Sequence, residues 1–135
     1  MQSTLPRVAL IWSCALLGAS WSSTASGQEV SLRAGESLDL HSVYWVQRSC
    51  HSLLRRIEGV DILEGPTGVS LSIRTEEVLT SARHNCPNKV PGGMVVATVK
   101  DVPAKVTATL SYRVRYETDE GPKQSTHTRQ VTLYP

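Results

Sequence analysis

The stretch A-K-V-T-A-T-L-S-Y-R-V-R-Y at residues 104–116 decides how this chain folds. Its even positions read Val106, Ala108, Leu110, Tyr112, Val114 and Tyr116; its odd positions read Lys105, Thr107, Thr109, Ser111, Arg113 and Arg115. Apolar and polar side chains alternate with period two, which in an extended strand places one set on a buried face and the other in water. On a helix the same apolar residues would scatter around the circumference. A strand with one dry face needs a second layer to cover it, so the chain is expected to be mainly β and two-layered.

Working outward, Asp119-Glu120-Gly121-Pro122 is turn chemistry. Residues 124–134 then read as a return strand with Val131 and Leu133 on one face, completing a C-terminal hairpin. Upstream, Val69, Leu71 and Ile73 alternate with Ser70, Ser72 and Arg74 after the turn Gly65-Pro66-Thr67-Gly68. Residues 94–99 are apolar on both parities, which suits a strand covered on both faces or central in a sheet, with Pro91-Gly92-Gly93 as the turn that opens it. Residues 30–40 and 60–63 supply shorter strands. Two segments read as helical instead. Val46, Cys50, Leu53, Leu54 and Ile57 form an apolar stripe of helical spacing, which predicts a short helix over residues 47–55. Thr75 followed by Glu76 and Glu77 has the form of a second helix start.

The first 27 residues have the order of an export signal. Arg7 supplies the charge, residues 8–18 an apolar run, and Ser22, Ser23, Thr24, Ala25, Ser26 and Gly27 a small-residue cleavage region. The run is shorter than the ~20 residues a spanning helix needs, and no later segment is apolar enough to serve. Cys14 lies inside the run behind Trp12 and Ser13, which argues against a lipidated anchor. The expected product is one exported domain over residues 28–135, periplasmic or secreted, with no transmembrane segment.

Lysine and arginine number 14 against 12 acidic residues, and Arg7 leaves with the leader. So balanced a domain has no global field to draw it to nucleic acid or an anionic membrane. The chain has no Phe, and Trp45 is the one tryptophan beyond the leader, so the core must be largely aliphatic. Two cysteines remain after cleavage, Cys50 and Cys86. In an oxidising compartment such a pair is expected to form a disulfide, and its connectivity is forced.

Short strands, recurrent turns, an export leader and one long-range cysteine pair resemble small exported bacterial proteins built on an immunoglobulin-like antiparallel β-sandwich. The resemblance implies a fold and no particular activity, since sandwiches host many unrelated functions. The chain departs from the antibody pattern, because Trp45 precedes Cys50 instead of following it. His84 also stands two residues before Cys86, where a tyrosine is usual.

Cys50-His51 and His84-Asn85-Cys86 offer the residue types of a zinc or copper site, but adjacent ligands diverge, and structural zinc sites space paired ligands by two to four residues. No metal or other cofactor is therefore expected. His41 and His127 read as isolated. There is no G-x-S-x-G and no C-x-x-C, and the acidic pairs Glu76-Glu77 and Asp119-Glu120 fall in expected turns or helix starts, so no catalysis is expected. Lys105, Arg113 and Arg115 share the wet face of the long strand, with Arg129 on its neighbour, a basic stripe that could meet a partner. The loops at residues 65–68 and 85–93 are further places to look. The reading that results is an exported non-catalytic module that binds a macromolecular partner, an unknown protein or envelope component, or supports the cell envelope. The alternative is a periplasmic metal or redox protein centred on Cys50, His84 and Cys86.

Overall fold

Alternation over residues 104–116 matures into the longest hairpin of the molecule. In the computed structural model, which describes residues 29–135, β6 (Val106–Thr118) pairs antiparallel with β7 (Gly121–Tyr134). The thirteen residue pairs run from Val106↔Leu133 to Thr118↔Gly121 without a register shift. The expected leader lies outside the described residues. The other strands are β1 (Val30–Arg33), β2 (Ser37–Val43), β3 (Leu54–Glu64), β4 (Val69–Val78) and β5 (Val90–Val99). They form a four-stranded sheet in the order β1-β7-β6-β3 and a three-stranded sheet in the order β2-β5-β4. All pairings are antiparallel except β1 with β7, the first strand lying parallel to the last.

Side chains from both sheets meet in one aliphatic core. The four-stranded sheet contributes Val30, Leu32, Leu110, Val114, Val131 and Leu133, and the three-stranded sheet contributes Leu40, Val43, Val95, Ala97 and Val99. Tyr112 is fully buried among them and is the largest such side chain. On β5 the odd residues face this core while Met94, Val96 and Thr98 are half-buried on the other side. That placement accounts for the mixed parity of residues 94–99, because β5 is the central strand of its sheet.

Three local expectations are corrected. Residues 47–55 form no helix, and among the described residues there is none. Residues 44–53 are a loop pinned by Gln47 N–H to His51 O, Cys50 N–H to Gln47 O and Leu53 N–H to Trp45 O, and β3 starts at Leu54. The stripe misled for a physical reason. Leu54, Ile57 and Val60 all lie opposite buried residues of β6, namely Thr118, Tyr116 and Val114. They do so at a spacing of three because register shifts fall between Leu54 and Arg56 and between Ile57 and Gly59. A bulge adds one residue to a strand, so a bulged strand imitates the spacing of a helix. Thr75, Glu76 and Glu77 are likewise in β4 and not at a helix start, with Glu76 ion-paired to Arg74.

Pro91-Gly92-Gly93 is strand and not turn. β2 reaches β5 only as far as Val43↔Gly93, so Pro91 sits where β5 has a neighbour on one side only and its missing N–H leaves no gap in a ladder. The glycines are required by close approach. A Cβ on Gly92 would meet the Val43 carbonyl oxygen, and one on Gly93 the end of the Ile57 side chain.

Candidate functional site

Cys50, in the β2–β3 loop, and Cys86, in the β4–β5 loop, are joined by a disulfide with their Cα atoms 5.7 Å apart. Cys50 has a φ of 66°, a left-handed backbone that non-glycine residues rarely adopt. Beside the bridge, His84 turns to the loop itself: its Nδ1 lies 3.0 Å from Tyr44 Oη and 3.4 Å from Ser81 Oγ. The Tyr44 hydroxyl also accepts from the Ser81 N–H at 2.8 Å. In this bonded form the sulfurs offer no thiolate to a metal, and among the described residues no group of three or more His, Cys, Asp or Glu could hold one.

The basic stripe divides. Antiparallel partners share a face, and Arg129 lies opposite the buried Leu110, so it points inward, away from the other three. On the outer face, Arg113 and Arg115 both turn to Asp61 of β3, at 3.6 and 2.8 Å. Lys105 lies over the Tyr134 ring at 5.3 Å, and Arg33 approaches the same ring at 5.7 Å. Between these cationic ends the outer face carries Thr107, Ser111, Thr128 and Thr132, tied in cross-strand hydroxyl pairs.

The most distinctive chemistry is on the opposite side of the same hairpin. Facing the core, β7 carries Lys123, Ser125, His127 and Arg129, opposite Tyr116, Val114, Tyr112 and Leu110, before it turns aliphatic at Val131 and Leu133. This polar row sits at the seam where β2 ends the other sheet. His41 of β2 reaches across the seam: its Nδ1 lies 2.7 Å from Tyr112 Oη, and its ring centroid 4.0 Å from that of His127. Arg129 donates from Nη2 to the Leu40 carbonyl oxygen at 2.9 Å, and His127 Nε2 lies 3.0 Å from Ser125 Oγ. A cleft of about 220 Å³ opens here, lined by His41, Ser42, Tyr44, Tyr116, Ser125 and His127 among others.

The electrostatics of the seam follow from burial next to a fixed cation. Burial, then the charges of His127 and Arg129, lower the His41 pKa to about 4. Burial and Arg129 lower His127 as well. Both imidazoles are therefore neutral near pH 7. Burial raises the Tyr112 phenol more than the Arg129 hydrogen bond lowers it, so it stays protonated too. The histidine pair thus presents neutral donors and acceptors beside the charge of Arg129.

One end of the seam is closed by aromatics. Trp45 donates from Nε1 to Glu120 Oε1 at 3.1 Å, stands 6.1 Å from Tyr116 between ring centroids, and is covered by Lys123 Nζ at 5.2 Å. Sequence reasoning treated His41 and His127 as isolated, and the structure places them ring to ring. The missed signal was parity: Ser125, His127 and Arg129 are in phase with Val131 and Leu133, which read together as one face of the return strand and are buried. No protein-family model matches this chain, and neither a curated protein nor a solved structure does.

Proposed function

We propose that this chain is an exported, non-catalytic immunoglobulin-like β-sandwich module that binds a macromolecular partner, and that it does so at the seam between β2 and β7. The strand order supports the fold reading. With β1 set aside, β2-β5-β4 and β3-β6-β7 reproduce the two sheets of an immunoglobulin domain, and the parallel β1–β7 pair adds the first strand to the second sheet. The bridge departs from the antibody type, since it ties two loops instead of two facing strands. The leader-like first 27 residues and the paired cysteines support export.

The observation that carries the binding reading is the polar inward row of β7. A strand face that is aliphatic at Val131 and Leu133 gives up apolar burial at Ser125, His127 and Arg129. Local departures from core patterning of this kind concentrate at functional sites. The row also borders a cleft with convergent polar groups, the usual form of a binding site.

The test is capture from native envelope extract with the exported domain as bait, compared across variants with matched melting temperatures. A partner retained by the parent and by Thr109→Lys on the outer sheet face, but lost with Ser125→Lys in the cleft, supports the reading. Loss with Thr109→Lys and retention with Ser125→Lys would move the site to the outer face and refute it.

A further inference from the structure

We propose that the cleft at the seam holds one ring of an uncharged glycan, whose hydroxyl groups meet His41, Ser42, Tyr116, Ser125 and His127. The inference deepens the binding reading above by naming the class of partner, and it rests on that reading.

The first observation is what lines the cleft. To the residues named above it adds only Val43, so the lining holds no Asp, Glu, Lys or Arg. Four larger clefts among the described residues each carry charges of both signs: Glu58 with Arg115, Glu76 with Lys89, Arg33 with Glu36, and Asp101 with Lys105. Arg129 stands beside the histidines, but its Nη2 is held by the Leu40 carbonyl oxygen and the residue is not part of the lining. A charged ligand group entering this cleft gives up water without meeting an opposite charge on its walls. An uncharged ligand suits it best.

The second observation is the supply of hydrogen-bonding groups. Tyr112 is fully buried, and a buried phenol needs an acceptor for its hydrogen. His41 Nδ1, at 2.7 Å, is that acceptor, so the neutral ring carries its own hydrogen on Nε2. His41 Nε2 has no partner among the described residues, and neither have His127 Nδ1, Ser42 Oγ and Tyr116 Oη. His127 Nε2 shares a hydrogen with Ser125 Oγ at 3.0 Å, and its Nδ1 takes whichever role that bond leaves it. Hydroxyl groups donate or accept as needed, on a sugar as on these side chains. Tyr44 brings its ring, because its hydroxyl is already taken by Ser81 and His84. An aromatic wall beside neutral polar groups fits a ring with an apolar face and a hydroxyl rim. The cleft of about 220 Å³ equals the volume of about seven waters at ~30 Å³ each, room for one sugar ring with the rest of the glycan outside. A peptide strings its polar groups along a line at about 3.3 Å per residue, a poorer match for groups gathered around one compact cleft.

The experiment has two arms. In the first, the purified protein is titrated with three uncharged trisaccharides (maltotriose, cellotriose and triacetylchitotriose), with anionic trigalacturonate and with cationic deacetylated chitotriose. Calorimetry and the fluorescence of Trp45, which stands against Tyr116, report binding. At least one uncharged trisaccharide is expected to bind saturably at about millimolar Kd, and at least about tenfold tighter than either charged one. Tyr116→Phe and Ser42→Ala, which each remove one hydroxyl, should weaken it severalfold, and Thr109→Lys on the outer face should not. Absence of binding by all three, or tighter binding of a charged trisaccharide, would overturn the proposed ligand. Unchanged affinity in both hydroxyl variants would overturn its placement in the cleft. In the second arm, the material captured from native envelope extract is expected to survive protease digestion and to be lost after periodate, which cleaves vicinal diols. If protease abolishes capture and periodate spares it while capture still depends on Ser125, the glycan falls and the binding site stands. If capture never depended on Ser125, the underlying reading falls with it.

Discussion

Acid should weaken this fold through His41, and the size of the effect follows from where that ring sits. Burial against Tyr112 and His127, with Arg129 nearby, lowers its pKa from 6.5 to about 4. Because the folded state binds the proton less tightly than the unfolded chain, stability is complete above pH 6.5. It falls as pH drops through the window between 6.5 and 4 and is fully lost below it. A shift of that size corresponds to about 3 kcal/mol if wholly realised. The ring is still partly hydrated, so about half of that, roughly 1.5 kcal/mol, is the expected effect. His127, shifted in the same direction, adds to it. Urea unfolding of the parent and of His41→Asn, which keeps an acceptor near Tyr112 but does not titrate, isolates the contribution. Between pH 7.5 and 4.5 the parent should lose about 1 kcal/mol or more beyond what the variant loses, a midpoint difference of roughly 0.5 M urea. Carboxylate titration is common to both proteins and cancels. Parallel pH profiles for the two would refute the account of the buried histidine pair.

Three further outcomes are expected. The disulfide closes a loop with a sequence separation of 36, so the double variant Cys50→Ala/Cys86→Ala should lose about 3–4 kcal/mol in denaturant unfolding. Gly92→Ala should be the more damaging of the two adjacent glycine substitutions, by about 1–3 kcal/mol in the same assay. At Gly92 the new methyl meets backbone, the Val43 carbonyl, whereas at Gly93 it meets first the end of the Ile57 side chain, which can rotate away. Arg115→Ala should change stability by less than about 1 kcal/mol, because its pair with Asp61 lies in water, and a thermal melt within a few degrees of the parent would bear this out.

Legibility differed from element to element. β6 was readable because its period-two pattern extends over a dozen residues and no bulge interrupts it. Its return strand and the strand at Val69, Leu71 and Ile73 were readable for the same reason. β3 was not, since two shifts of register converted Leu54, Ile57 and Val60 to a spacing of three. Pro91-Gly92-Gly93 carried the composition of a turn but serves close packing against β2 and β3, which composition cannot express. The pairing of Cys50 with Cys86 was expected because they are the two cysteines beyond the expected leader, and the bridge is present. Of the basic stripe, Arg129 was placed beside Lys105, Arg113 and Arg115 although its parity with Leu133 puts it on the other face.

Sequence alone was enough for a mainly β chain, its long C-terminal hairpin, the faces of β6 and the Cys50–Cys86 disulfide, because each of these depends on alternation or counting along the chain. The seam was decided only in three dimensions. His41 and His127 lie on strands of different sheets, and their meeting depends on β2 and β7 both ending at the same side of the molecule. Nothing in the neighbourhood of either histidine encodes which strand will stand opposite. That is a property of how two sheets stack and where each ladder stops.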